Sequence, residues 1–167
     1  VTSLRLPTLF GYSKKMRNDL IINYFTGYIG NHNKINLQGD GKQGRPFLHV
    51  KDAAKAFIFF LEYKNKDIIN KKVINIGNEK NNIILLDLAK KIFHQLKIKP
   101  KISYYGIQDN RSYFVDFSLS RKLGFECTWT IHDGINELMK KISFFKKFND
   151  DINYPVKHLK KIFNLGT

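Results

Sequence analysis

Among the side chains of this 167-residue sequence, five arginines and one histidine–carboxylate pair have the chemistry to hold or move a group. Lysine outnumbers arginine 24 to 5, as expected if compositional drift has exchanged one basic residue for the other over solvated faces. An arginine that stays, at Arg5, Arg17, Arg45, Arg111 or Arg121, marks a place where a planar fork is rewarded, and phosphate and carboxylate oxygens reward it. His49 and Asp52 lie near enough in sequence for a proton relay to be considered. His32, His94, His132 and His158 are scattered and form no ligand set, and no Cys/His grouping has zinc spacing, so no metal site is expected. The single cysteine, Cys127, has no intramolecular disulfide partner and reads as a buried, inert thiol in a reducing compartment.

Arg45 closes a glycine-rich run, Gly39-Asp40-Gly41-Lys42-Gln43-Gly44, and the apolar Phe47-Leu48-His49-Val50 follows it. Gly39-x-Gly41-x-x-Gly44 has the spacing of the dinucleotide-binding fingerprint. That fingerprint needs a helix to open at once, so that its N-terminus meets a pyrophosphate. Here Arg45-Pro46 and a second strand come next, so the run is expected to be a hairpin or bulge turn.

The elements that must carry these residues alternate. Val1 to Phe10 reads as a strand entering a loop at Gly11-Tyr12-Ser13, and Asn18 to Gly30 as a helix with Leu20, Tyr24 and Tyr28 on one face. Lys34 to Gln38 and Phe47 to Val50 read as short strands. Ala53, Ala54, Phe57, Ile58 and Leu61 recur at helical spacing, with Asp52 placed to suit the helix dipole. A polar connection, Lys64 to Lys72, leads to the strand Val73-Ile74-Asn75-Ile76 ending on Gly77, and then a loop of Asn and Lys. Leu85, Leu88, Ala89, Ile92, Phe93 and Leu96 form one face of a second helix closed by Lys99-Pro100. Ile102 and Tyr104 indicate an edge strand, Ser118 to Leu123 a short helix, and Asp133 to Phe148 a long one with Ile135, Leu138, Ile142 and Phe145 inward. Alternation at this spacing predicts an α/β fold built partly on a parallel sheet.

Composition narrows the function classes. With 43% hydrophobic and 14% aromatic residues the chain can bury one sizeable core, and no apolar run approaches the roughly 18 residues of a membrane span. Its opening residues have neither a basic region nor a long apolar stretch, so no secretory signal is read. A first residue other than Met, leading straight into a strand, is expected of a piece of something longer. The formal charge of +15 raises a nucleic-acid partner, but the basic residues are dispersed over the whole chain, which fits a solvated surface better.

Seven segments, in order, resemble the extended short-chain dehydrogenase/reductase family, the NAD-dependent nucleotide-sugar epimerases and dehydratases. Leu4-Arg5-Leu6-Pro7-Thr8-Leu9-Phe10-Gly11 is similar to its L-R-x-x-x-V-Y-G strand and loop, and Arg17-Asn18-Asp19-Leu20-Ile21 to the helix start that follows. The glycine run with Arg45 and His49-Val50-Lys51-Asp52, then Val73-Ile74-Asn75-Ile76-Gly77, Asp87-Leu88-Ala89, Arg111-Ser112-Tyr113-Phe114-Val115-Asp116 and Leu123-Gly124-Phe125, complete the likeness over about Leu4 to Met139.

The resemblance implies the C-terminal part of an extended Rossmann-type, NAD(P)-binding fold with its small substrate-binding subdomain, over residues 1–149, and a basic tail over 150–167. It implies that Arg45 pairs with the diphosphate of a nucleoside-diphosphate sugar, that Arg111 reaches the same diphosphate, and that Asp19, Leu20, Ile35 and Leu37 meet the nucleotide. Leu6 and Pro7 stand where the strand end passes the nicotinamide of NAD or NADP, and Thr8, in the same cofactor-binding stretch, where many members have asparagine. His49 and Asp52 become structural, at a strand end and a helix start. The family's base is a tyrosine with a lysine four residues on, and none of the eight tyrosines here has one. This chain is therefore expected to hold a substrate clamp and no catalytic residue, and to need an N-terminal Rossmann half. The full enzyme is expected to be a cytoplasmic homodimer feeding surface-polysaccharide synthesis. A non-catalytic basic binding module on the same fold, for nucleic acid or protein, is the alternative.

Overall fold

The computed structural model describes residues 1–141, 148–149 and 153–162. Strand β1 (Ser3–Arg5) stops at Leu6-Pro7, where proline has no N–H for a ladder, and the chain resumes as β2 (Thr8–Phe10). The single strand expected over Val1 to Phe10 is thus two, in different sheets. β1 runs parallel to β5 (Val73–Asn75), whereas β2 runs parallel to β4 (Gly44–His49). Strand β3 (Ile35–Gln38) runs parallel to β7 (Ile102–Tyr105), and β4 also pairs antiparallel with β6 (Asn82–Ile84).

Parallel partners need crossovers, and helices supply them. α1 (Ile21–His32) joins β2 to β3, α2 (Val50–Leu61) and the one-turn α3 (Lys66–Ile69) lie between β4 and β5, and α4 (Leu85–Leu96) joins β6 to β7. The expected α/β fold is what forms. β4 is its hinge of packing, because alternate side chains leave a strand on opposite faces. Phe47 enters a core with Phe10, Ile29 and Phe93, while Leu48 enters a second core with Ala56, Phe60, Ile74 and Ile76.

Other expectations need correction. Helix α1 begins at Ile21, not Asn18, with Leu20 before its first turn, and it buries Ile22, Phe25 and Ile29 while Tyr24 and Tyr28 are half-buried. β3 and β4 flank the glycine turn but sit in different sheets, so the turn is no hairpin. Gly39 and Gly41 take φ of 60° and 72°, and a Cβ on Gly39 would stand 2.6 Å from the Gln108 backbone, so the turn lies close against the loop after β7. The Asn/Lys stretch before α4 contains β6, which lets β4 begin at Gly44, three residues before the expected Phe47. On α2 the buried face is Ala53, Ala56 and Phe60; Phe57, Ile58 and Leu61 are 55%, 57% and 78% exposed. Both sides of that helix are apolar, and the packing chose the one with the small residues against the sheet.

Helix α5 (Ser118–Lys122) forms as expected, and α6 (Ile131–Met139) starts two residues earlier than Asp133. The reason is a capping box: the Asp133 N–H donates to Thr130 Oγ1 at 3.3 Å and the Thr130 N–H donates to the Asp133 carboxylate at 2.9 Å. Thr130→Ala should cost about 1 kcal/mol of unfolding free energy in urea titration. Ile142 and Phe145 lie outside the described residues. In the tail, α7 (Pro155–Ile162) opens on proline, which suits a first turn, and the Asn18 N–H donates to the Asn153 carbonyl at 2.8 Å. Among the described residues no helix is long and apolar enough to cross a membrane.

Candidate functional site

Arg45 is the second residue of β4, and its guanidinium projects into a cleft of about 660 Å³. The first turn of α1, the end of β3 and the loop from Tyr105 to Tyr113 form the other walls. That loop is stitched to the start of β4: the Gly44 N–H donates to Ser112 Oγ at 2.9 Å and the Tyr113 N–H to the Gly44 carbonyl at 3.2 Å. A Cβ on Gly44 would lie 2.5 Å from the Phe114 ring, so the bare glycine lets that ring lie against the strand.

These bonds bring Arg111 beside Arg45, 66 residues away in sequence. One carboxylate, Asp109, lies between them. Its Oδ2 accepts from Arg45 Nη2 at 2.9 Å and from Arg111 Nη2 at 3.1 Å, and its Oδ1 accepts from Arg111 Nε at 2.9 Å and from the Arg111 N–H at 3.0 Å. Arg45 Nη1 donates to the Gly44 carbonyl at 2.9 Å and to the Arg111 carbonyl, and its guanidinium sits 5.6 Å from the centre of the Tyr113 ring. The Arg111 guanidinium and N–H, with Arg45 adding its charge, hold the Asp109 carboxyl down at about 2. The Arg45 side chain is 12% exposed and that of Arg111 81%, so one fork is fixed and the other faces solvent. Two cations at one mouth, with Tyr24, Phe25, Tyr105 and Tyr113 around them, make a place for an anion attached to a flat or apolar group.

Of the residues expected at a nucleotide, Leu37, Arg45 and Arg111 line this cleft. Ile35 is fully buried two residues behind Leu37 on the same face of β3 and supports the wall from the core. Leu20 is the residue before α1, next to the lining residue Ile21. Asp19 turns to Arg17, which donates to it at 2.9 and 2.6 Å, and it does not line the cleft. Leu6 and Pro7 line a smaller cavity of about 110 Å³, without Thr8, and Tyr113 is common to both cavities. Asn36, Gln38, Gln43 and Asp109 also line the cleft and were not foreseen. The polar residues alternating with Ile35 and Leu37 were a legible signal for Asn36 and Gln38; nothing local marked Asp109.

His49 and Asp52 prove structural. The His49 ring is fully buried, stacked on Trp129 at 4.2 Å and edge-on to Phe10 at 5.1 Å. Its Nδ1 accepts the Lys51 N–H at 3.3 Å, capping α2, which leaves the proton on Nε2, 3.0 Å from Glu137 Oε2. Asp52 accepts from the Trp129 N–H at 2.8 Å and from Thr128 Oγ1 at 3.2 Å. Cys127 is half-buried, and burial pushes its thiol up to about 12, in keeping with an inert role. Among the described residues no group of three or more His, Cys, Asp or Glu side chains is placed to hold a metal.

Comparison with known proteins points the same way as the resemblance in the sequence. Residues 1–77 match the NAD dependent epimerase/dehydratase family. The chain is 26% identical over 159 residues to a UDP-glucuronate 4-epimerase of Thermodesulfobacterium geofontis, covering 94% of this chain and 46% of that protein. It is 26% identical over 144 residues to dTDP-4-dehydro-6-deoxyglucose reductase of Escherichia coli, covering 84% of this chain and 44% of that protein. The structure of UDP-glucuronic acid 4-epimerase from Bacillus cereus, in complex with UDP-glucuronic acid and NAD, superposes with a TM-score of 0.70 at 22% identity, over 86% of this chain and 44% of that one. dTDP-glucose 4,6-dehydratase from Bacillus anthracis, in complex with NAD, gives 0.66 at 19% identity, over 87% and 47%. The structural likeness shows the fold. The chain spans less than half the length of each of these relatives.

Proposed function

We propose that this chain is the substrate-binding part of an NAD-dependent nucleotide-sugar epimerase or dehydratase, the family matched by residues 1–77, and that its cleft clamps the diphosphate of a nucleoside-diphosphate sugar. The observation that carries this reading is the meeting of Arg45 and Arg111 at one anion, the Asp109 carboxylate, in a cleft walled by tyrosines. Two guanidiniums at that spacing match two adjacent phosphates, each of which can take a fork. Residues 1–149 supply this part and 150–167 a basic tail.

NAD or NADP is the cofactor of the same reading. Leu6 and Pro7 form one wall of a cavity far too small for a dinucleotide, yet sharing Tyr113 with the cleft. The residues present fit a wall beside the reacting end of the cofactor and no more. Bound NAD would supply reversible hydride chemistry at the sugar. This chain orients the sugar nucleotide through its diphosphate and contributes no base, for no tyrosine here is followed four residues later by lysine.

The dinucleotide loop and the base then belong to a preceding Rossmann half. Two surface features support docking there: β1 pairs along one edge, with β5, and α2 presents Phe57, Ile58 and Leu61 outward. A homodimeric, cytoplasmic enzyme in polysaccharide synthesis goes with this assignment.

The test is calorimetric titration of the chain with UDP-, dTDP- and GDP-sugars at low and moderate salt. Saturable binding that prefers one nucleotide supports the reading. Binding only to RNA or DNA, steeply salt-dependent, would replace it with the basic binding module. Sugar turnover by this chain alone would overturn the assignment of the base to another half.

A further inference from the structure

The diphosphate reading leaves a physical problem at the cleft mouth: both clamping arginines already have an anion. Asp109 accepts from Arg45 and from Arg111 at 2.9 to 3.1 Å, and its side chain is only 10% exposed. The two phosphates of a ligand would want the same N–H groups. We propose that Asp109 is an internal counter-anion which an incoming diphosphate must displace, so that this carboxylate, by competing for the forks, sets the affinity of the clamp. The inference rests on the diphosphate reading of Arg45 and Arg111.

Three observations favour competition over a purely supporting role. Asp109 is placed by a short turn of its own, its Oδ1 accepting the Arg111 N–H at 3.0 Å, so it is held where it is independently of Arg45. Arg45 keeps two further acceptors when the carboxylate leaves, the Gly44 and Arg111 carbonyls, so its fork stays aimed at the mouth. Arg111 is 81% exposed, so it can turn from Asp109 to a ligand without losing packing. The carboxylate, held at about 2, stays ionised throughout the workable pH range, so the competition is between two anions and is not relieved by mild acid. A ligand with two adjacent phosphates can satisfy both arginines together.

Asp109→Asn tests this, because the amide keeps an acceptor for the Arg111 N–H and removes the negative charge. Inorganic pyrophosphate is titrated calorimetrically into the wild-type chain, Asp109→Asn, Asp109→Ser and Arg45→Ala, with circular dichroism melts to confirm folding. The expected result is pyrophosphate binding about tenfold tighter in Asp109→Asn than in wild type, in the direction of the charge-assisted bonds released. Binding seen only in the aspartate variants supports the proposal equally. If wild type binds and Arg45→Ala loses binding, while neither Asp109 variant binds tighter, the counter-anion idea is overturned and the clamp stands. If no form binds pyrophosphate, or Arg45→Ala binds as well as wild type, the clamp falls and the inference with it.

Discussion

Arg45→Ala should weaken binding of a nucleoside-diphosphate sugar about a hundredfold, the scale of removing one partner from a desolvated, hydrogen-bonded charge pair. Its effect should exceed that of Arg111→Ala, and the geometry says why. Arg45 is 12% exposed and held by the Gly44 and Arg111 carbonyls, so its fork is already aimed and loses little freedom on binding. Arg111 is 81% exposed, and its fork is engaged by Asp109, which it must leave to reach the ligand. Arg45→Lys should fall between wild type and Arg45→Ala, because it keeps the charge and loses the planar fork. Calorimetric titration of the three variants checks the order. Equal losses at both arginines would mean that the fixed position of Arg45 counts for nothing, and no loss at Arg45 would remove the clamp.

Replacing Glu137 by alanine should cost about 3 kcal/mol of stability, a fall of roughly 10 °C in melting temperature. Glu137 on α6 reaches across to the β2–α1 loop and to β4: it accepts from the Tyr12 N–H at 2.9 Å, from His49 Nε2 at 3.0 Å and from Lys51 Nζ at 2.6 Å. Without it the half-buried Tyr12 N–H and the fully buried His49 imidazole, packed between the Phe10 and Trp129 rings, lose their acceptor. The same cluster makes stability depend on pH. Burial pushes the His49 imidazole below its ordinary 6.5, outweighing the pull of Glu137, with Lys51 acting with burial and Asp52 against it. The unfolded chain therefore takes up a proton that the folded one resists, so this contribution is complete above pH 6.5 and declines as the pH falls below it. Burial pushes the Glu137 carboxyl upward, but Lys51, the Tyr12 N–H and His49 together hold it below 4.5, so its share is present above 4.5 and lost as the pH falls through the lower folded value. Urea unfolding between pH 8 and 3 should show both losses in wild type. Glu137→Gln should keep the decline that begins near 6.5 and shrink the one that begins below 4.5, where Asp109 and the other carboxylates held down by their partners still contribute. A flat wild-type profile would refute the account.

The residues that could be read in advance are those whose signal is local. Helix α4 starts and ends at Leu85 and Leu96, where its apolar period does, because a face that repeats every 3.6 residues is a property of neighbouring positions. Strand β6 and helix α3 were missed because three or four residues are too few to display a period, and β6 exists only through its pairing with β4. The inner face of α2 could not be chosen because both of its faces are apolar, and contact with the sheet selected Ala53, Ala56 and Phe60.

The site divides in the same way. Side-chain type marked Arg45 and Arg111, since a guanidinium kept in a lysine-rich chain carries its chemistry wherever it lands. Their convergence, and the arrival of Asp109 between them, depend on the loop after β7 closing on the start of β4 across more than 60 residues. Glu137 likewise finds His49 across 88 residues. Charge, fork and apolar period are written into single residues and their near neighbours. Which anion meets which cation is settled when distant segments pack, because an ion pair extends only a few ångströms and no local pattern encodes the chain reversals that bring its partners together.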